Sequence, residues 1–171
     1  KAIEDSRVKK IPYFGLCYGR QLLGVEYARN KAGLKGAHTV EENPKTPHPV
    51  VLTMKDQVEK LKNKTYGNTM RLGDYPASLK KGTIAAKAYG ATDVIERHRH
   101  RYEVNNDYVA QLEKAGLVFS GKSPDGSLCE IAELPQSVHP FFLATQFHPE
   151  FLARPLRPHK LFTAFVKACK K

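Results

Sequence analysis

The chain has 171 residues, of which 41% are hydrophobic and 26% charged. That balance supports a packed core and suits one domain over residues 1–171; it excludes a disordered or collagen-like polymer. No apolar run approaches the ~20 residues of a membrane-spanning helix, and the opening KAIEDSRVKK carries no apolar signal stretch.

The net charge is +11, from 28 Lys and Arg against 17 Asp and Glu. A basic chain attracts polyanions. These charges are dispersed, however. Lysine runs reach only two residues, and the densest patch, Arg97-His98-Arg99-His100-Arg101, has no ladder of aromatics beside it. Neither a nucleic-acid partner nor a membrane partner is expected. The Cys residues stand at 17, 129 and 169. An odd, widely spaced set is no disulfide framework and points to a reducing, cytoplasmic setting. No metal site is expected, because no CxxC or HxxxH occurs and the histidines of the patch alternate with arginine.

In chain order, Lys1 begins without Met in what reads as the middle of a helix, as expected for part of a longer polypeptide. Residues 11–17 form a short apolar run that reads as a buried strand. Residues 21–30 have helical spacing, with a stop near Gly33. Residues 33–48 read as loop, and 49–54 as a strand. The polar stretch 55–69 reads as an excursion. Residues 70–74 and 83–86 read as strands around a Pro76 loop. Residues 106–115 read as a helix capped by Asn106 and stopped by Gly116. Residues 117–120 and 128–134 read as strands joined by a Ser-Pro-Asp-Gly turn. The apolar run 141–147 reads as a strand, and 158–168 as an amphipathic helix. The sum is an α/β domain with a mixed, partly parallel sheet.

Two constellations carry chemistry. Gly15-Leu16-Cys17-Tyr18-Gly19 places a nucleophile between two glycines where a strand turns into a helix. That is the form of a nucleophile elbow: a tight turn with strained φ, flanked by small residues. The helix N-terminus is expected to lower the thiol pKa and to offer N–H groups to an oxyanion. Alone, Cys17 also fits a buried structural thiol. The second constellation is His148-Pro149-Glu150. At a strand end, residues i and i+2 share a face, so His148 can act as base and Glu150 can orient its ring. Alone, this also fits a surface loop.

GLCYGRQ (15–21) together with TQFHPEF (145–151) resembles the class I, triad-type glutamine amidotransferases. More narrowly, MRLG (70–73), ERHRHRYEVNN (96–106), GLVFSG (116–121), EIAELP (130–135), HPFF (139–142) and RPLRPH (154–159) resemble the glutaminase domain of the CTP synthase family. The likeness runs through essentially the whole chain. The segment RHRHRYEVNN weighs against another triad amidotransferase or a γ-glutamyl hydrolase.

The resemblance implies a flavodoxin-like domain in which Cys17 forms a glutamyl thioester, His148 is the acid and base, and Glu150 orients it. It implies that Tyr18 gives a backbone N–H to the oxyanion. Tyr18, Gly19, Arg20 and Gln21 would border the glutamine pocket. Glu41 would hold the substrate's α-amino group and Arg101 its α-carboxylate. Read without the resemblance, Glu41 is a solvated loop carboxylate and Arg101 a surface charge. The implied substrate is L-glutamine, and this domain needs no cofactor. The implied partner is a synthase domain in the same polypeptide, using ATP and Mg²⁺ to aminate UTP, activated by GTP and forming a homo-oligomer. The sequence departs from the family's usual Cys-Leu-Gly-Met-Gln at Tyr18 and Arg20, and from its Asn-Ser-Thr-Glu at 38–40. The family's glycine-rich oxyanion loop would precede residue 1. A domain without turnover, serving as a regulatory or assembly surface, is the alternative those departures leave open.

Overall fold

Strand β9 (Phe142–Thr145) sends its two faces into two different apolar cores. In the computed structural model, which describes residues 1–53 and 70–170, all four of its residues are buried. Phe142 and Ala144 pack into one core with Leu23, Tyr27, Val51 and Phe119. Leu143 points the other way, into a second core with Ile84, Ile131, Phe147 and Leu161. Period-2 alternation with apolar groups on both sides is what a strand covered by helices on both faces requires.

Around β9 runs a six-stranded sheet in the order β1, β9, β8, β7, β4, β5. Its other members are β1 (Tyr13–Leu16), β4 (Arg71–Leu79), β5 (Asp93–His100), β7 (Val118–Lys122) and β8 (Cys129–Glu133). Only β1 and β9 run parallel, in register Leu16 with Thr145; the remaining pairs are antiparallel. A smaller sheet joins β2 (His38–Thr39), β3 (Pro49–Thr53) and β6 (Tyr102–Val104). Helix α1 (Ala2–Lys9) buries no residue, whereas α2 (Tyr18–Asn30) supplies much of the first core. Helices α3 (Ile84–Tyr89), α4 (Val109–Lys114), α5 (Pro149–Leu152) and α6 (Lys160–Cys169) complete the layers. The expected mixed, partly parallel α/β sheet is present. No described helix is long and apolar enough to cross a membrane.

Several local expectations are corrected. Residues 84–89 form a helix, not a strand. Thr83 caps it by accepting from the Ala86 N–H at 3.2 Å, and the buried Glu133 carboxylate accepts from Ile84 and Ala85 N–H at 2.6 and 3.0 Å. Gly90, at φ 66°, ends it. Pro76 lies inside a continuous strand rather than a loop. Only Ser78 and Leu79 of β4 pair with β7, so at Pro76 the strand has β5 alone as partner and its missing N–H breaks no second ladder. The cap before α4 is Asn105, which accepts from Asp107 N–H at 3.1 Å and opens a 3₁₀ turn over Asn106–Tyr108. The expected excursion at 55–69 and the strand end at Met54 lie outside the described residues.

Candidate active site

The sharp turn at Cys17 is built by its glycines. Cys17 has φ 48° and ψ −101°, a strained conformation for a non-glycine residue. A Cβ on Gly15 would meet the Gly19 carbonyl carbon at 2.9 Å and the Tyr13 hydroxyl at 2.5 Å. Tyr13 Oη donates to the Gly19 carbonyl at 2.8 Å and closes the turn from behind. The first backbone bonds of α2 run from the N–H groups of Arg20 and Gln21 to the Cys17 carbonyl, at 3.0 and 3.2 Å. The Tyr18 and Gly19 N–H groups lie ahead of these, at the positive end of the helix. The Tyr18 backbone N–H acts on the Cys17 sulfur in favour of the thiolate.

The parallel pairing of β1 and β9 brings Cys17 to the His-x-Glu segment. Cys17 N–H donates to the Thr145 carbonyl at 2.7 Å, three residues before His148. His148 Nδ1 and Glu150 Oε1 are 2.5 Å apart, while His148 Nε2 is buried with no hydrogen-bond partner among the described residues. With Nδ1–H donating to Glu150, Nε2 keeps the lone pair a base needs. Phe151 stacks on the ring at 4.6 Å, and His148 N–H is held by the Arg97 carbonyl at 2.8 Å. The means of this pairing differs from expectation. The strand stops at Thr145, and Glu150 belongs to the single turn α5, which His148 caps with φ −111° and ψ 88°. The non-helical cap residue followed by one helical residue still brings the two side chains together.

A pocket of about 370 Å³ opens beside Cys17. Tyr18 and Gln21 line it from α2, Glu41 and Glu42 from the loop after β2, and Arg99 and Arg101 from the end of β5 and the bend beyond it. Carboxylates therefore come from one loop and guanidiniums from another element. Gln21 Nε2 donates to the Tyr102 carbonyl at 3.4 Å, while its Oε1 is buried with no partner among the described residues. Tyr18 Oη donates to Glu42 at 3.0 Å. Glu42 carried no expectation; its signal was only its place beside Glu41.

Three expectations change. The thiol is not lowered: burial pushes Cys17 up to about 11, aided by the Glu103 and Glu150 carboxylates, and outweighs the Tyr18 N–H and the Arg20 charge. Arg20 is not a pocket residue. It is 1% exposed, and its guanidinium donates to the Cys129 carbonyl at 2.5 Å and to Gln146 Oε1 at 3.3 Å. The Gly19 carbonyl faces Tyr13, and Gly19 does not line the pocket.

The Arg-His patch is a basic surface on one side only. Strand alternation leaves Arg97, Arg99 and Arg101 exposed and buries His98 and His100. Beneath the pocket, Arg71 contacts Glu130 at 2.7 Å and Glu103 at 3.4 Å. His98 Nδ1 and His100 Nε2 are 2.7 Å apart, and His100 Nδ1 lies 3.4 Å from Glu103. Burial, then the Arg71 charge, drives His98 down to about 2 and His100 to about 3. Burial, then Glu130, pushes Glu103 up to about 8. No group of three or more His, Cys, Asp or Glu that could hold a metal ion occurs among the described residues.

A family model described as glutamine amidotransferase class-I matches residues 1–168, and the chain belongs to that family. It is 57% identical over 169 residues to CTP synthase of Rubrobacter xylanophilus, covering 99% of this chain and 30% of that protein. It is 55% identical over 168 residues to CTP synthase of Acidothermus cellulolyticus, covering 98% and 30%. The chain thus spans about 30% of the length of these curated relatives. Among solved structures, the glutaminase domain of Trypanosoma brucei CTPS with bound acivicin superposes with a TM-score of 0.90 at 38% identity, covering 99% of this chain and 64% of that one. A putative GMP synthase protein from Thermoplasma acidophilum has a TM-score of 0.57 at 16% identity, covering 99% and 62%, a likeness of fold alone.

Proposed function

We propose that this chain is the glutaminase part of a CTP synthase. The observation that carries the reading is the strained Cys17 at a helix N-terminus, tied through Thr145 to a His148 whose Nε2 is unpartnered and whose Nδ1 is held by Glu150. The relatives at 57% and 55% identity support the CTP synthase assignment.

On this reading, glutamine enters the pocket with its α-amino group toward Glu41 and Glu42 and its α-carboxylate toward Arg101. Opposite charges from two elements suit a zwitterion. Gln21 Oε1 has capacity to accept from the ligand. Cys17 passes its proton to His148 Nε2, and the sulfur attacks the side-chain amide carbon. The new C–S bond leaves an oxyanion facing the Tyr18 N–H. The oxyanion collapses, the C–N bond breaks, and His148 returns the proton to the departing ammonia. Water, deprotonated by His148, then adds to the thioester carbon; the C–S bond breaks, glutamate leaves, and His148 returns the proton to the Cys17 sulfur. Proton transfer inside the site answers the high thiol pKa: the thiolate forms only beside its base. In the parent protein, ATP with Mg²⁺ would activate UTP in a synthase domain, GTP would act as activator, and the assembly would be a homo-oligomer.

The test is Cys17→Ala in the full-length protein. Glutamine-dependent CTP formation should vanish, while ammonia-dependent formation should persist. Wild-type glutamine use in that variant would overturn the reading. Wild-type protein that makes CTP from ammonia but never from glutamine would instead support a domain without turnover.

A further inference from the structure

Gln146 contacts Cys17 and Arg20 contacts Gln146, yet neither lines the pocket or has a part in the chemistry above. Both are buried, at 1% and 0% exposure. The Gln146 backbone is pinned by its N–H on the Glu130 carbonyl at 2.8 Å. Its side chain has two ends. Oε1 accepts from Arg20 Nη1 at 3.3 Å, and Nε2 lies 3.8 Å from Cys17 Sγ. A guanidinium has only donors, so it admits only the carbonyl end of the amide. Arg20 is itself fixed by the Cys129 carbonyl at 2.5 Å and by the Phe119 ring at 5.9 Å. The amide therefore cannot turn its oxygen toward the sulfur without setting NH₂ against the guanidinium.

We propose that Arg20 is a positioning residue that locks the Gln146 carboxamide with its N–H₂ on Cys17 Sγ, giving the thiolate a donor from the core side to match the Tyr18 N–H. The charged groups acting on that thiolate are then Arg20 in its favour and Glu103 and Glu150 against it. The inference rests on Cys17 being the nucleophile, but its test does not require glutamine turnover.

The experiment is peptide-resolved alkylation of Cys17 by iodoacetamide between pH 6 and 11, with the exposed Cys169 as reference in the same digest. Gln146→Glu keeps the shape and the Arg20 partner but replaces the donor with an acceptor. Arg20→Met removes the lock. Both should raise the apparent Cys17 pKa by about one pH unit, slowing alkylation at pH 8 about tenfold, with Cys169 unchanged. Arg20→Lys, which keeps a donor and a charge, should recover part of the rate. A wild-type profile in Gln146→Glu overturns the proposal, and that variant decides alone if Arg20→Met does not fold. Shifted profiles in a protein that hydrolyses no glutamine would keep this inference and overturn the glutaminase reading; an active glutaminase with an unshifted Gln146→Glu profile would do the reverse.

Discussion

Gly15 and Gly19 meet backbone to backbone across Cys17. A Cβ on Gly15 would sit 2.9 Å from the Gly19 carbonyl carbon, whereas one on Gly19 would find only the Tyr13 hydroxyl, at 3.5 Å. Backbone cannot yield as a flexible side chain can. Gly15→Ala should therefore destabilise the fold by about 1–3 kcal/mol in urea unfolding and abolish Cys17-dependent turnover. Gly19→Ala, in the first turn of α2, should be within about 1 kcal/mol of wild type and fold normally. Equal stability of the two variants would mean that the glycines do not shape the elbow.

The 2.5 Å contact between His148 Nδ1 and Glu150 fixes which ring nitrogen is free. Glu150→Gln can also accept from Nδ1–H, but it can instead turn its NH₂ toward the ring and favour the wrong tautomer. It also lacks the charge that supports an imidazolium. Glutamine turnover should fall roughly 10²-fold or more with KM little changed, because the loss falls on proton transfer and not on binding. Steady-state glutamate release measures both. A raised KM at constant kcat would place Glu150 with the substrate and not with His148.

How much of this was legible in the sequence depends on the range of the interaction. The elbow and the His-x-Glu pair are local: their geometry follows from glycine spacing and from residues two apart. Arg20 was not legible, because its partners, Cys129 and Gln146, lie 109 and 126 residues away. A buried arginine has the same letter as an exposed one. The Arg-His stretch misled in the same way. Its outward arginines set the composition, while the carboxylates that answer its buried side come partly from β8. Residues 83–86 misled for a local reason: so short a run, with three apolar residues, has no period, and the Glu133 carboxylate that caps the helix is far along the chain.

Pocket polarity makes separable predictions for the two charges. Arg101→Ala should raise KM for glutamine by roughly 10- to 100-fold, as loss of one charge-assisted contact does, with a smaller fall in kcat. Glu41→Ala and Glu42→Ala distinguish which carboxylate meets the ammonium. Glu42 accepts from Tyr18 Oη, so Glu41 retains more capacity for a ligand, and its removal should cost the larger share of affinity. Unchanged glutamine kinetics in Arg101→Ala would return Arg101 to the surface. A larger effect at Glu42 than at Glu41 would exchange the two roles.

The buried network beneath the pocket ties stability to pH in two opposite senses. Glu103 is raised to about 8 by burial and by Glu130. Between the unfolded value near 4.5 and that folded value, the native state holds a proton that the unfolded chain has released. The stabilisation is complete below the lower limit and is lost as pH rises through 8, with a slope of at most about 1.4 kcal/mol per pH unit. His98 and His100 act the other way. Burial keeps them neutral in the fold, down to about 2 and 3, while the unfolded imidazoles protonate near 6.5. Their stabilisation is present above about 6.5 and is lost as pH falls below it. Urea unfolding at half-unit steps from pH 4.5 to 8.5 separates the two. Glu103→Gln, neutral at every pH, should gain on wild type steadily from pH 5 to 8. His100→Asn should lose less than wild type between pH 6.5 and 4.5, since one of the two refused protons is gone. A difference between Glu103→Gln and wild type that stays constant across the range would show that Glu103 is already ionised in the fold, paired with Arg71 at neutral pH.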